Sequence, residues 1–99
     1  MAALMIINYD VFDRAALDAY RAVAAPILVG PSLGTAVAIS GATVDLGEGH
    51  AAGSDTVVLR YESVEAAEAA YRSEAYQAVL PDRLNATTPK IALIVETLD

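Results

Sequence analysis

One histidine, five tyrosines and a few arginines are the side chains of this sequence with the most chemical potential. His50 has the only side chain whose unperturbed pKa lies near neutrality, which makes it the candidate general base. It sits in Gly47-Glu48-Gly49-His50-Ala51-Ala52-Gly53-Ser54, a run that reads as a flexible loop. An exposed loop residue is therefore the competing account. Tyr9, Tyr20, Tyr61, Tyr71 and Tyr76 form the aromatic set. A buried tyrosine ordinarily packs its ring and finds one partner for its hydroxyl. Two or three converging hydroxyls can instead hold a carbonyl or a phenol. Arg60 and Glu62 share one strand face. Either they form ion pairs across the sheet or between subunits, or Arg60 holds a ligand carboxylate or enolate. Asn8 lies on the corresponding face of the first strand. Arg83 can reach the same mouth, or cap the carbonyls of the helix before it.

Several chemistries are excluded at once. There is no cysteine, so disulfides, thiolate catalysis and Cys-ligated metals are out. A single histidine cannot build a His-rich metal site, and no G-x-S-x-G, P-loop or G-x-G-x-x-G occurs. No cofactor and no metal are expected. Six basic against thirteen acidic residues give a net charge of -7. Such a chain repels phosphate backbones and anionic membranes. Met1 to Val11 is apolar but has no basic n-region, and no run is long enough to span a bilayer. The expected location is the cytoplasm.

The elements that must position these groups follow from periodicity. Leu4 to Val11 reads as a strand apolar on both faces, hence inside a sheet. Asp13 caps a helix over Arg14 to Ala25, with Ala16, Leu17, Tyr20, Val23 and Ala24 as its buried stripe. Pro26 is expected to end it. Thr35 to Ser40 is a second strand, which Gly41 bends and Ala42 to Leu46 continues. Thr56 to Glu62 is a third. Ser63 caps a helix carrying Ala66, Ala67, Ala70 and Tyr71, and Ser73 caps a short one anchored by Tyr76, Val79 and Leu80. Pro81 closes it, Asp82 to Pro89 connects, and Lys90 to Leu98 is the last strand.

The order β-α-β-β-α-β predicts one α+β domain over residues 1–99. It is ferredoxin-like, with a four-stranded antiparallel sheet and both helices on one face. The other face carries Leu4, Ile6 and Val58. A sheet face that apolar needs a cover, and a second copy of the chain supplies one by two-fold symmetry. A homodimer is expected.

The strand ending Val11-Phe12-Asp13, Tyr20-Arg21 followed by Pro26, and the Gly34 turn belong to a recognisable order. So do Gly47-Glu48-Gly49, Tyr61-Glu62-Ser63, and above all Ser73-Glu74-Ala75-Tyr76-Gln77 with Arg83 following. Over nearly its whole length the chain resembles the bacterial family called domain of unknown function 1330, within the dimeric α/β-barrel superfamily. That resemblance implies a ferredoxin-like protomer and a barrel dimer. The superfamily includes cofactor-free monooxygenases, muconolactone isomerases, polyketide cyclases and haem enzymes, so it implies a pocket without naming a reaction. Ile39-Ser40 stands where many members have arginine, and Arg60 where many have an acid, which implies a more neutral pocket or an unused one.

Two functions remain open. One is a small cofactor-independent isomerase, cyclase or monooxygenase acting on an apolar, carbonyl-bearing or aromatic metabolite. His50, Tyr20 and Arg60 would be its catalytic groups, and Asn8, Tyr76, Arg83 and Glu62 would contact substrate. The other is a non-catalytic homodimer that binds a small ligand or a partner protein.

Overall fold

A computed structural model describes all residues, 1–99. The elements are β1 (Ala3–Val11), α1 (Arg14–Leu28), β2 (Thr35–Ser40), β3 (Asp55–Tyr61), α2 (Val64–Arg72), α3 (Glu74–Ala86) and β4 (Thr87–Glu96). The strands form one sheet in the order β2-β3-β1-β4, every pair antiparallel. The architecture is the expected α+β, ferredoxin-like one, with the second helical segment divided in two. No helix is long and apolar enough to cross a membrane.

Side-chain alternation along β1 explains the layering. Ala3, Met5, Ile7 and Tyr9 are buried against the helices, together with Leu59 and Tyr61 of β3. From the helices come Leu17, Tyr20, Ala24 and Leu28 of α1, Ala67 of α2, and Tyr76, Leu80 and Ala86 of α3. All three caps form as the sequence predicts. Asp13 accepts from the Ala16 N–H, Ser63 from Ala66 and Ser73 from Tyr76.

Five local expectations change. α1 runs on to Leu28 with Pro26 inside it, and α3 runs to Ala86 with Pro81 inside it. Each proline removes one N–H, and the carbonyls left free, those of Ala22 and Gln77, belong to exposed residues that water can serve. β4 consequently begins at Thr87, directly after α3. Val23 is half exposed; the buried stripe of α1 runs through Leu28 instead. β2 ends at Ser40, and Ala42 to Leu46 pairs with no strand.

The β3 side of that loop is held by close approach. Gly53 lies against the β1 backbone, where any Cβ would overlap the carbonyl group of Tyr9. The helical layer does not cover β2, where Thr35 to Ile39 are all exposed.

The sheet's other face is assembled from cross-strand rows. Thr35, Arg60, Leu4 and Val95 form one; Ala38, Val58, Ile6 and Leu93 the next; Ser40, Thr56, Asn8 and Ile91 the third. Arg60 is the only charged residue in these rows, and Ile91, Leu93 and Val95 are each more than 40% exposed.

Candidate functional site

Between α1 and the sheet lies a cavity of about 120 Å³. Its origin is local. Where α1 faces Ile7, Val57 and Leu59 it presents Ala24, whose methyl group cannot fill the space that a longer side chain would. Leu28 is buried in its lining, whereas Ile39, on uncovered β2, is 58% exposed and lies on the solvent side. Ten of the twelve lining residues are hydrophobic; Tyr9, Tyr20, Arg21 and Arg83 bring the polar atoms.

The tyrosines converge from two helices. Tyr20 of α1 and Tyr76 of α3 place their hydroxyl oxygens 2.6 Å apart, with the rings edge to face at 6.5 Å. Only one of the two protons is used in that bond, so the accepting hydroxyl keeps its own proton to donate elsewhere. Burial, and then the bond to Tyr76, push the Tyr20 phenol well above its ordinary pKa of 10.0. Tyr20 is therefore a hydrogen-bond donor across the physiological range, and not a base.

Arg83 stands in the same wall, 3% exposed. Its spacing explains this: Tyr76, Leu80 and Arg83 fall on one face of α3. The guanidinium lies 5.6 Å from the centre of the Tyr9 ring. It forms no ion pair, and its Nε has no hydrogen-bond partner. Burial opposes its charge, but nearby Tyr76 and Tyr20 outweigh that and raise its pKa; no carboxylate contributes. An arginine cannot shed its proton to escape this setting.

A second buried charge sits beside the cavity under different terms. Asp55, at the start of β3, is 1% exposed and accepts from both terminal nitrogens of Arg14, at 2.8 and 3.1 Å, and from the Ser54 hydroxyl at 2.8 Å. Arg21 approaches it at 3.5 Å and also donates to the Tyr9 hydroxyl at 3.0 Å. The Arg14 bonds above all hold the Asp55 carboxyl below the usual carboxylate range. On the opposite sheet face, Asn8 clamps the incoming loop. Its amide donates to the Gly53 and Asp55 carbonyls and to Thr56 Oγ1, and its oxygen accepts from the Gly53 N–H.

Among the residues singled out from sequence, the structure brings together Tyr20, Tyr76 and Arg83. The others lie elsewhere. His50 is exposed in the β2–β3 loop and is not part of the cavity wall. Arg60 lies on the open sheet face and pairs with Asp99 at 2.6 Å. Asn8 shares that face but pairs across β1 four residues from the Arg60 row, roughly 13 Å away. Glu62 is exposed at a separate groove beside Ser32 and Ala69.

Sequence reasoning missed Tyr9 and Arg21 as cavity residues, although both types were in view. It missed Asp55 altogether, because an aspartate after a glycine-rich loop carries no mark of burial. The inward position of Arg83 follows the i, i+4, i+7 continuation from Tyr76, a signal that the expected stop at Pro81 conceals.

A family model described as a domain of unknown function (DUF1330) matches residues 2–98. No curated protein matches the chain. Among solved structures, the chain is similar to a protein of unknown function from Rhodopseudomonas palustris, with a TM-score of 0.74 at 16% identity. That match covers 99% of this chain and 83% of the other. At such identity the likeness speaks for the fold.

Proposed function

The chain belongs to the DUF1330 family, a domain of unknown function, and from that premise we propose that it is a small-molecule-binding protein. Its ligand is a compact apolar or aromatic molecule with one oxygen function, seated between α1 and the sheet. What supports this reading is the cavity: an apolar space of about 120 Å³ whose lining includes the polar groups of Tyr9, Tyr20, Arg21 and Arg83. That is the usual composition of a ligand site, mostly apolar lining with a few convergent polar groups. A cavity near 150 Å³ accepts benzene, so this one suits a ligand body of about six carbons.

Tyr20 and Arg83 in the lining, with Tyr76 behind Tyr20, could stabilise an oxyanion, as the isomerase, cyclase or monooxygenase reading would require. Proton abstraction also needs a base, and no carboxylate or imidazole lines the cavity. This favours binding over turnover within one protomer.

The second copy enters through the open sheet face. Its central rows, from Leu4 and Val95 to Asn8 and Ile91, are apolar or uncharged apart from Arg60. Two such faces can meet despite the chain's charge of -7, because the carboxylate beside the row of Arg60, that of Asp99, is already paired with it. Sedimentation at micromolar concentration should give twice the 10.3 kDa chain mass, and Leu93→Lys should give the monomer. A wild-type monomer would sink this part of the reading.

The cavity is tested by titrating methyl-labelled protein with benzene. Shifts should concentrate at Ile7, Leu28, Val57 and Leu59, and Ala24→Leu should abolish them by filling the space. Shifts scattered over the open sheet face, or unchanged in Ala24→Leu, would overturn it.

A further inference from the structure

We infer that the molecule taken by this cavity is an organic acid: a small monocarboxylate whose apolar body fills the space and whose carboxylate is met by Arg83. The inference rests on the cavity being a binding site, as proposed above, and adds the charge of what binds there.

The observations concern where positive charge has been placed. The chain has six basic residues, and three of them, Arg14, Arg21 and Arg83, sit at or beside the cavity. The one carboxylate buried with them is Asp55, which serves Arg14 and Arg21. The remaining charge is Arg83, which is 3% exposed, lines the cavity and lacks a partner for Nε. A chain with thirteen acidic residues has no shortage of carboxylates to place beside it. None is there.

A buried charge without a counter-charge is expensive, and proteins normally pair it or move it to the surface. An arginine kept in this state is matched to something that arrives. The planar guanidinium suits a planar carboxylate, which it can meet with two parallel N–H bonds. Tyr20 lines the cavity and supplies a further donor when it accepts from Tyr76, which leaves its own proton free. The rest of the wall offers nothing to a polar body: Ile7, Ala24, Leu28, Val57 and Leu59 are apolar. A doubly charged or hydroxyl-rich acid would leave groups unpaired there. A neutral isostere would leave Arg83 as it is now.

Calorimetric titration of the intact protein with benzoate and hexanoate, each beside its neutral amide, separates these cases. Both acids should bind at least about tenfold more tightly than their amides, the scale of one charge-assisted contact. In Arg83→Gln the acids should weaken by about that factor while the amides hold, and Arg83→Lys should retain part of the preference. Arg72→Gln, a charge change on an exposed surface, should alter neither. Equal binding of acid and amide to wild-type protein, or an acid preference that survives Arg83→Gln, would overturn the anionic ligand and leave the cavity a neutral site. If neither acids nor amides bind the folded wild-type protein, both the acid and the small-molecule reading fall. The wild-type comparison decides the matter even if a variant does not fold.

Discussion

Two buried polar regions lie on either side of Tyr9, and they are built on opposite terms. At the loop end, Asn8 and Asp55 are saturated: Asn8 makes four hydrogen bonds and Asp55 is held by Arg14, Ser54 and the nearby Arg21. At the cavity wall, Arg83 has neither a carboxylate nor a partner for its Nε. The first pattern is what stability demands, since every buried polar group left unmade costs free energy. The second departs from it, and such departures concentrate where proteins bind something. If the proposed binding site is right, the difference separates a structural region from a functional one, and it predicts effects of different size and even different sign.

The largest effect should come from Asn8→Ala. It removes the clamp between β1 and the loop and leaves the Gly53 N–H and several carbonyls without their partner. We expect a loss of about 3 kcal/mol, from unsatisfied buried groups at ~1–3 kcal/mol each. That corresponds to a fall in Tm of roughly 15 °C for a domain of this size, measured by thermal melting at fixed protein concentration. A change below about 1 kcal/mol would mean the loop is held by other contacts and the saturated region is not structural.

Asp55→Asn comes next and has a pH signature. Asp55 titrates below its ordinary value of 3.8 in the folded protein, so its contribution is complete above that value. It disappears as the pH falls through the depressed folded pKa. Wild-type stability should therefore decline below pH 3.8 more steeply than that of Asp55→Asn, which lacks this titration. Surface Asp45 and Asp99 are also held low, by the Gly47 N–H and by Thr97 respectively, but they are common to both proteins and cancel in the difference. Parallel acid limbs would show that Arg14, which is half exposed, merely lies near Asp55 without stabilising its charge.

Tyr61 supplies a control for the phenols. Its hydroxyl donates to the Leu28 carbonyl at 2.9 Å, and burial raises its pKa to about 12. Tyr61→Phe should cost about 1 kcal/mol, one buried hydrogen bond. The pKa is raised in the folded state, so this stability is complete below pH 10.0 and fades as the pH rises towards 12. Alkaline denaturation curves of the two proteins should converge in that interval. Persistent separation above it would point to ring packing, not the hydroxyl bond.

The saturated and unsaturated regions were unequally legible in the sequence. The scaffold could be read because its signals are local: alternation in β1, and caps at Asp13, Ser63 and Ser73 followed by helical stripes. Tyr20 and Tyr76 could be singled out by type, but their 2.6 Å contact depends on how α1 crosses α3. Arg83 could also be singled out as a substrate contact, but its place on the buried face of α3 is hidden by Pro81, whose usual meaning as a helix stop fails because the freed Gln77 carbonyl belongs to an exposed residue. Asp55 was hidden for another reason. Its partners lie 41 and 34 residues away on α1, and no local pattern marks an ion pair formed across the fold. His50 and Arg60 drew attention through side-chain chemistry alone, while their elements leave them outside the cavity wall.

Arg83→Met should give the smallest stability change and the most diagnostic one. Methionine fills a similar volume on an apolar wall and needs no hydrogen bonds. If Arg83 were part of the structural framework, its loss would resemble that of Asn8. If it is an unpaired charge retained for a ligand, replacing it should leave stability unchanged or raise it by about 1 kcal/mol, as apolar replacement of poorly compensated buried charge does. Chemical denaturation of the ligand-free protein reads this directly, and the slope with denaturant should stay constant. Destabilisation above about 2 kcal/mol would show that Tyr76, Tyr20 and the Tyr9 ring already satisfy the guanidinium. The contrast on either side of Tyr9 would then vanish, because a residue that stabilises the empty protein needs no ligand to explain its burial.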